Sequence, residues 1–149
     1  MIAGVKVKPL KIIPDDRGKL MEMLRCDDAV FDAFGQVYFT TAWPGVVKAW
    51  HYHRHQADNF ICVAGRIKLA LHDAREGSPT KGETNEFYLS LQEPKLVYIP
   101  QMVYHGFKAV SDVEAMVINV ITRVYDHKNP DELRLDAFDP AIGYDWNKD

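Results

Sequence analysis

Three histidines stand at alternate positions in the stretch from Gly45 to Gly65, GVVKAWHYHRHQADNFICVAG, with a carboxylate just behind them. Side chains in extended chain alternate faces with a period of two, so His51, His53 and His55 are expected on one side of one strand. Imidazole titrates near neutral pH, which suits proton transfer, and its neutral form is a good ligand for transition metals. Asp58 lies in the same stretch, and His105 follows in IPQMVYHGF. His51, His53, Asp58 and His105 could therefore do acid–base work, or supply nitrogen and oxygen donors with an open face to divalent iron, manganese or zinc. His55 reads as a rim residue, and His72 and His127 as surface residues.

The elements that must carry these groups are short. QVYFTTAW, KAWHYHRH, NFICVAG, RIKLALHDAR, NEFYLSL, KLVYIP, YHGFKAV and VEAMVINVITRVY are β-rich runs separated by turn-forming breaks such as EGSPTKG and QEP. Many short strands at regular spacing, without long stretches of helical period, indicate an all-β chain. VKVKPLKII alternates but holds a proline, as an edge strand would. PDDRG is a turn and LMEML a short strand. Asp28 to Phe34, DAVFDAF, has helical spacing closed by Gly35, so one or two short helices are expected. The tail after Asn129 is turn-rich, and its Tyr144 and Trp146 are placed to cap the barrel or a partner subunit. The expected fold is a double-stranded β-helix, a jelly-roll barrel, in one domain spanning residues 1–149.

Composition narrows the function classes. The 18 basic and 21 acidic residues give a net charge of −3 and form no basic block, so nucleic acid is not an expected partner. Cys26 and Cys62 have no metal or redox spacing and fit a reduced cytoplasm. No segment has the length or apolarity of a membrane span or a signal peptide.

The spacing of Gly45, His51, His53, Asp58 and Gly65 resembles the first motif of the cupin barrels, with Asp58 where glutamate is usual. Pro100 and His105 resemble the second, with Met102 where glycine is usual. A narrower resemblance covers nearly the whole chain. Asp15-x-Arg17-Gly18-x-Leu20-x-Glu22, Lys48-Ala-Trp-His51-Tyr, Gln56, Asp73-x-Arg75, Ser78-Pro79-Thr80-x-Gly82, His105-Gly106-Phe107, Tyr125 and Ile142-Gly143-x-x-Trp146 are similar to the dTDP-4-dehydrorhamnose 3,5-epimerase family.

That resemblance implies a cofactor-free reaction on a nucleotide-linked 4-keto-6-deoxy sugar. The ketone acidifies the neighbouring C–H bonds, one base removes a proton, and an acid on the opposite ring face returns one. By position His51 is the base, Arg17 binds the diphosphate, Glu22 accepts from the nucleobase, and Lys48 stands for an arginine that steadies the substrate. His105 belongs to the site, with His53, Asn119 and Tyr125 as further substrate contacts. The family's catalytic tyrosine corresponds to Asn119, its active-site lysine to Asp58, and the aspartate that orients its histidine lies beyond the terminal tryptophan.

Other readings stay open. Sugar-nucleotide 3,4-ketoisomerases are cupins of this size with a His-x-His strand and a tyrosine from the strand before it, here Tyr38. A metal-dependent cupin with His51, His53, Asp58 and His105 as ligands is another, and a non-catalytic sugar-binding cupin a third. The family also implies a homodimer, which would cover the edge strand and bring Arg17 and Glu22 to a site at the barrel mouth.

Overall fold

The computed structural model describes residues 1–148. Twelve strands follow one another: β1 (Lys6–Pro9), β2 (Ile12–Asp15), β3 (Gly18–Met21), β4 (Gln36–Ala42), β5 (Val47–Tyr52), β6 (Asp58–Ala64), β7 (Arg66–His72), β8 (Thr84–Ser90), β9 (Lys95–Ile99), β10 (Tyr104–Ala109), β11 (Ala115–Ile121) and β12 (Leu133–Arg134). One five-stranded sheet has the order β1-β9-β6-β11-β4 and the other β12-β5-β10-β7-β8; β2 and β3 form a separate hairpin. All pairings are antiparallel. Neighbouring strands of a sheet are mostly remote in sequence, which is the jelly-roll wiring the strand count led us to expect.

Period-two alternation builds the core. Phe60 and Cys62 of β6, Val97 and Ile99 of β9 and Val117 of β11 meet Ile67, Leu69 and Leu71 of β7 and Phe107 of β10 between the sheets. The opposite faces are not left bare. Leu10 and Val30, with Met21, Met23 and Leu24, cover Ile61, Leu96 and Tyr98 on the first sheet. On the second, Trp146 and Tyr144 of the tail cover Trp50 and Ala70, with the Trp50 and Trp146 ring centres 4.9 Å apart. The tail thus caps its own barrel, one of the two roles open to Tyr144 and Trp146. Burial on both faces is why β6 and β7 read as nearly continuous apolar runs.

Several expectations change. Among the described residues no helix occurs, and the segment from Asp28 to Phe34 is a series of turns, begun by Asp28 N–H to the Arg25 carbonyl and Phe31 N–H to the Asp28 carbonyl. Tyr98 draws it onto the sheet by donating to Asp32, and Val30 is buried there; local helical spacing gave way to a tertiary surface. VKVKPLKII is not one strand: β1 pairs with β9 as an edge, and the chain then turns into the β2–β3 hairpin. The histidine strand also ends early. β5 stops at Tyr52, so only His51 of the three histidines lies on it, and His55 is exposed.

The Ser78-Pro79-Thr80 segment is built around one carboxylate. Asp73, fully buried, accepts from Arg75 Nε at 2.8 Å, Ser78 Oγ at 2.6 Å and Thr80 Oγ1 at 2.7 Å. These donors hold its pKa well below the usual carboxylate range, Arg75 contributing most. The β7–β8 connection is thereby closed.

Candidate functional site

A cavity of about 560 Å³ opens between the two sheets where β4 faces β5. Tyr38 and Thr40 reach it from β4 because they alternate with Val37 and Phe39, which are 53 % and 65 % exposed on the outer face. Lys48 and His51 reach it from β5, opposite Phe107 and His105 of β10, and the β5 residues Val47, Ala49 and Trp50 also border it. His53, Gln56, Phe60, Tyr125, Glu132 and Arg134 complete much of the wall.

The histidines converge through sheet register. His105 pairs with His51 across β10 and β5, so both rings point to the same face, with centres 4.2 Å apart. The close approach of these strands depends on Gly106, where a Cβ would lie 2.2 Å from Ala49 Cβ. Ahead of β10, Met102 adopts φ 65° and donates its N–H to the His53 carbonyl at 2.8 Å. This is the place where the cupin motif normally has glycine, and the left-handed backbone explains that preference. His53 leaves β5 but its ring stays 5.9 Å from that of His51.

A residue that the sequence reading passed over fixes His53. The Asp131 carbonyl accepts from His53 Nδ1, while its carboxylate accepts the N–H groups of Arg54 at 2.9 Å and His55 at 2.8 Å. Glu132 and Arg134, paired at 2.8 Å, come from the same stretch, because β12 pairs with β5. The alternation in DELRL was the available signal, and its shortness hid it among turns.

Asp58 opens β6 with its side chain on the inner face, behind the cavity wall. Its Oδ1 accepts from Gln56 Nε2 at 2.6 Å, and its Oδ2 lies 2.9 Å from His105 Nε2 and 3.4 Å from His53 Nε2. Burial alone would raise the Asp58 pKa, but the two imidazoles outweigh it and hold the carboxyl well below its ordinary range. Burial lowers and the Asp58 charge raises the His53 pKa, with a net rise. His51 is different. Desolvation, with His105 beside it, depresses its pKa well below the ordinary value, so its ring is neutral at neutral pH and able to accept a proton.

Asn119 is fully buried. Its Oδ1 accepts from the Asn59 N–H at 3.0 Å and its Nδ2 donates to the Tyr38 hydroxyl at 2.9 Å. Burial, with the Asp58 charge, pushes the Tyr38 phenol up to about 12, so it remains protonated. Lys48 lines the cavity and donates to Thr40 Oγ1 at 3.1 Å; Tyr125 also lines it and packs edge-on to His127.

The fold thus brings together His51, His53, Tyr38, Lys48 and Tyr125 at the cavity, with His105, Asp58 and Asn119 directly behind. Arg17 and Glu22 are not among the lining residues. Arg17 sits at the tip of the β2–β3 hairpin, bonded to Asp15 at 2.6 Å, and Glu22 pairs with Arg25 at 3.2 Å. His51, His53, Asp58 and His105 each offer a donor atom within 4.8 Å of the others, so the alternative metal-ligand set is also assembled.

Known proteins resemble this chain over nearly its whole length. The family profile described as dTDP-4-dehydrorhamnose 3,5-epimerase matches residues 1–149. The chain is 40% identical over 147 residues to a spore coat polysaccharide biosynthesis protein of Bacillus subtilis, covering 99% of this chain and 97% of that protein. It is 39% identical over 148 residues to a protein of Haloferax volcanii named "Probable low-salt glycan biosynthesis epimerase", covering 98% and 95%. Among solved structures, a dTDP sugar isomerase from Desulfovibrio desulfuricans superposes with a TM-score of 0.94 at 32% identity, covering 99% of this chain and 94% of the other.

Proposed function

The chain belongs to the dTDP-4-dehydrorhamnose 3,5-epimerase family, and on that premise we propose that it is an isomerase that inverts a carbon beside the ketone of a nucleotide-linked 4-keto-6-deoxy sugar. The observation that carries this reading is a proton acceptor and a proton donor facing one cavity from opposite sheets: neutral His51 on β5 and protonated Tyr38 on β4. Epimerisation needs a proton taken from one face of the sugar and returned to the other. His51 takes the proton, the electron pair passes to the carbonyl as an enolate, and Tyr38 protonates the carbon from the opposite side. Tyr38 fills the role of the family's tyrosine, since its hydroxyl lies at Asn119, where that tyrosine falls in the alignment of motifs.

Lys48 and Arg134 are the cationic groups of the cavity wall and suit the diphosphate, with Tyr125 suited to stack on the base. The enzyme acts as a single domain and a homodimer in the cytoplasm. Support for the dimer is the exposed apolar face formed by Val37 and Phe39 and the exposed hairpin residues Ile13 and Leu20. Such an assembly gives the hairpin with Arg17 and Glu22 a neighbouring cavity to cover. Support for the cytoplasm is the pair of free cysteines; among the described residues no helix is long and apolar enough to cross a membrane.

The test is solvent deuterium incorporation into a 4-keto-6-deoxy sugar nucleotide. His51→Asn should abolish exchange while the nucleotide sugar still binds. Exchange at the wild-type rate in that variant would remove His51 as the base.

A further inference from the structure

Glu132 is the only carboxylate among the described residues of the cavity wall. The substrate class proposed above carries a diphosphate, and like charges repel. This group must therefore serve a part of the ligand other than its phosphates.

Register brings Glu132 to the wall. Arg134 stands opposite His51 in the β12–β5 pairing, and residues directly opposite project to the same face. Glu132, two residues earlier, shares that face through the alternation of extended chain and lines the same cavity. The backbone is tied down on both sides of it. The Asp131 carbonyl accepts from His53 Nδ1 and its carboxylate from the N–H groups of Arg54 and His55, while β12 is bonded to β5. A carboxylate on a fixed backbone beside the base is preorganised to orient a ligand.

The pair is graded in depth. The Arg134 side chain is 76 % exposed and that of Glu132 21 %, so the guanidinium sits at the rim and the carboxylate inside it. Arg134 Nε donates to Glu132 Oε1 at 2.8 Å, and Oε2 accepts no hydrogen bond among the described residues. The Glu132 charge is felt at Tyr38, behind burial, Asp58 and Asn119, and at His53, behind burial, Asp58 and the Asp131 carbonyl. With the diphosphate at the rim on Arg134, the part of the ligand that reaches Glu132 is the sugar ring. A carboxylate only accepts, and so do the ring oxygen and the ketone, which leaves the ring hydroxyls as its partners.

Resting on the epimerase reading, we propose that Glu132 is a specificity-determining residue: it accepts from a hydroxyl at C2 or C3 of the sugar and selects rings that keep that hydroxyl over their deoxy analogues. A charged acceptor left unpaired costs more than a lost apolar contact, so the deoxy ring is rejected. The same bond fixes which ring face meets His51 and which meets Tyr38.

Binding is measured by calorimetry on the full chain in the His51→Asn background, where the sugar is held without turnover; deuterium exchange is followed separately with His51 intact. The ligands are dTDP- and UDP-linked 4-keto-6-deoxyglucose, the 2-deoxy and 3-deoxy analogues of each, and free dTDP and UDP. One deoxy analogue should bind about 10–100-fold more weakly than its parent, as for a hydrogen bond to a charged group, and its identity assigns the carbon. Glu132→Ala should weaken the parent by a similar factor, leave that analogue as it was, and not weaken the free nucleotides. Glu132→Gln keeps the shape and one acceptor oxygen and should retain part of the discrimination; with thermal melts, it stands in if Glu132→Ala does not fold. Equal losses for the parent and both analogues overturn the proposal, as does weaker binding of the free nucleotides matching that of Arg134→Ala, which would make Glu132 an anchor for Arg134 only. Deuterium exchange without any discrimination overturns the proposal and leaves the epimerase standing. Discrimination lost in Glu132→Ala, without exchange on any of these sugars, overturns the epimerase reading and leaves the hydroxyl contact. Binding of none of these ligands overturns both.

Discussion

The Tyr38 hydroxyl lies 2.9 Å from Asn119 Nδ2, and the two residues are direct partners across the β4–β11 ladder. A residue on one strand and its cross-strand partner address the same volume, so a phenol lost from one can be regained from the other. This is how a chain with asparagine at the family's tyrosine position can keep a proton donor in the cavity.

Tyr38→Phe should therefore lower kcat by about 10²–10⁴-fold with little change in KM. Deuterium wash-in by His51 should outlast formation of epimerised product, because removal and return of the proton are then separated. Product formation at the wild-type rate would exclude Tyr38 as the acid.

Asp73 makes stability depend on acid. Its folded pKa is depressed, so its contribution is present above the unfolded value of about 3.9 and is lost as pH falls toward the folded one. Asp73→Asn should cost about 3 kcal/mol at pH 7, as expected for breaking a buried, hydrogen-bonded pair. In urea titrations the gap from wild type should narrow at pH 3; a gap independent of pH would sever the link to this carboxylate.

Gly106 sets the spacing that brings His51 and His105 together. In Gly106→Ala the new methyl would meet Ala49 Cβ at 2.2 Å and Ala49 Cα at 2.7 Å, forcing β5 from β10. We expect a loss of about 1–3 kcal/mol and reduced turnover, with Ala49→Gly recovering part of both by removing the nearer contact. Additive effects in that double-mutant cycle would argue against strand spacing as the cause.

The tail is structural and reaches the site. Trp146 is fully buried and donates from Nε1 to the Ala137 carbonyl at 2.9 Å. Trp146→Ala should cost about 3–5 kcal/mol and, by loosening the segment that carries Asp131, lower turnover as well. A melting temperature equal to wild type would show that Trp146 caps nothing essential.

Much of this was legible in residue order. Period-two runs with turn breaks required an all-β sandwich, and the two cupin half-motifs placed His51, His53, Asp58 and His105 near one another. The helix expected over Asp28 to Phe34 did not form because Val30 and Asp32 serve a sheet surface that no local pattern reveals. β12 was missed because the alternation around its two residues is too short to stand out among turns. Arg17 and Glu22 are exposed, paired with Asp15 and Arg25 outside the cavity wall, because a motif names residues but not the place the chain gives them.

The sequence by itself determined the strand faces, the apolar core between them and the set of groups able to move a proton, since alternation and side-chain chemistry are local properties. Only the tertiary structure decided that Tyr38 stands against Asn119, that Asp131 locks the His53 ring, and that His53 and His105 converge on the buried Asp58. Those relations depend on the register between strands remote in sequence, and register follows from how whole faces pack.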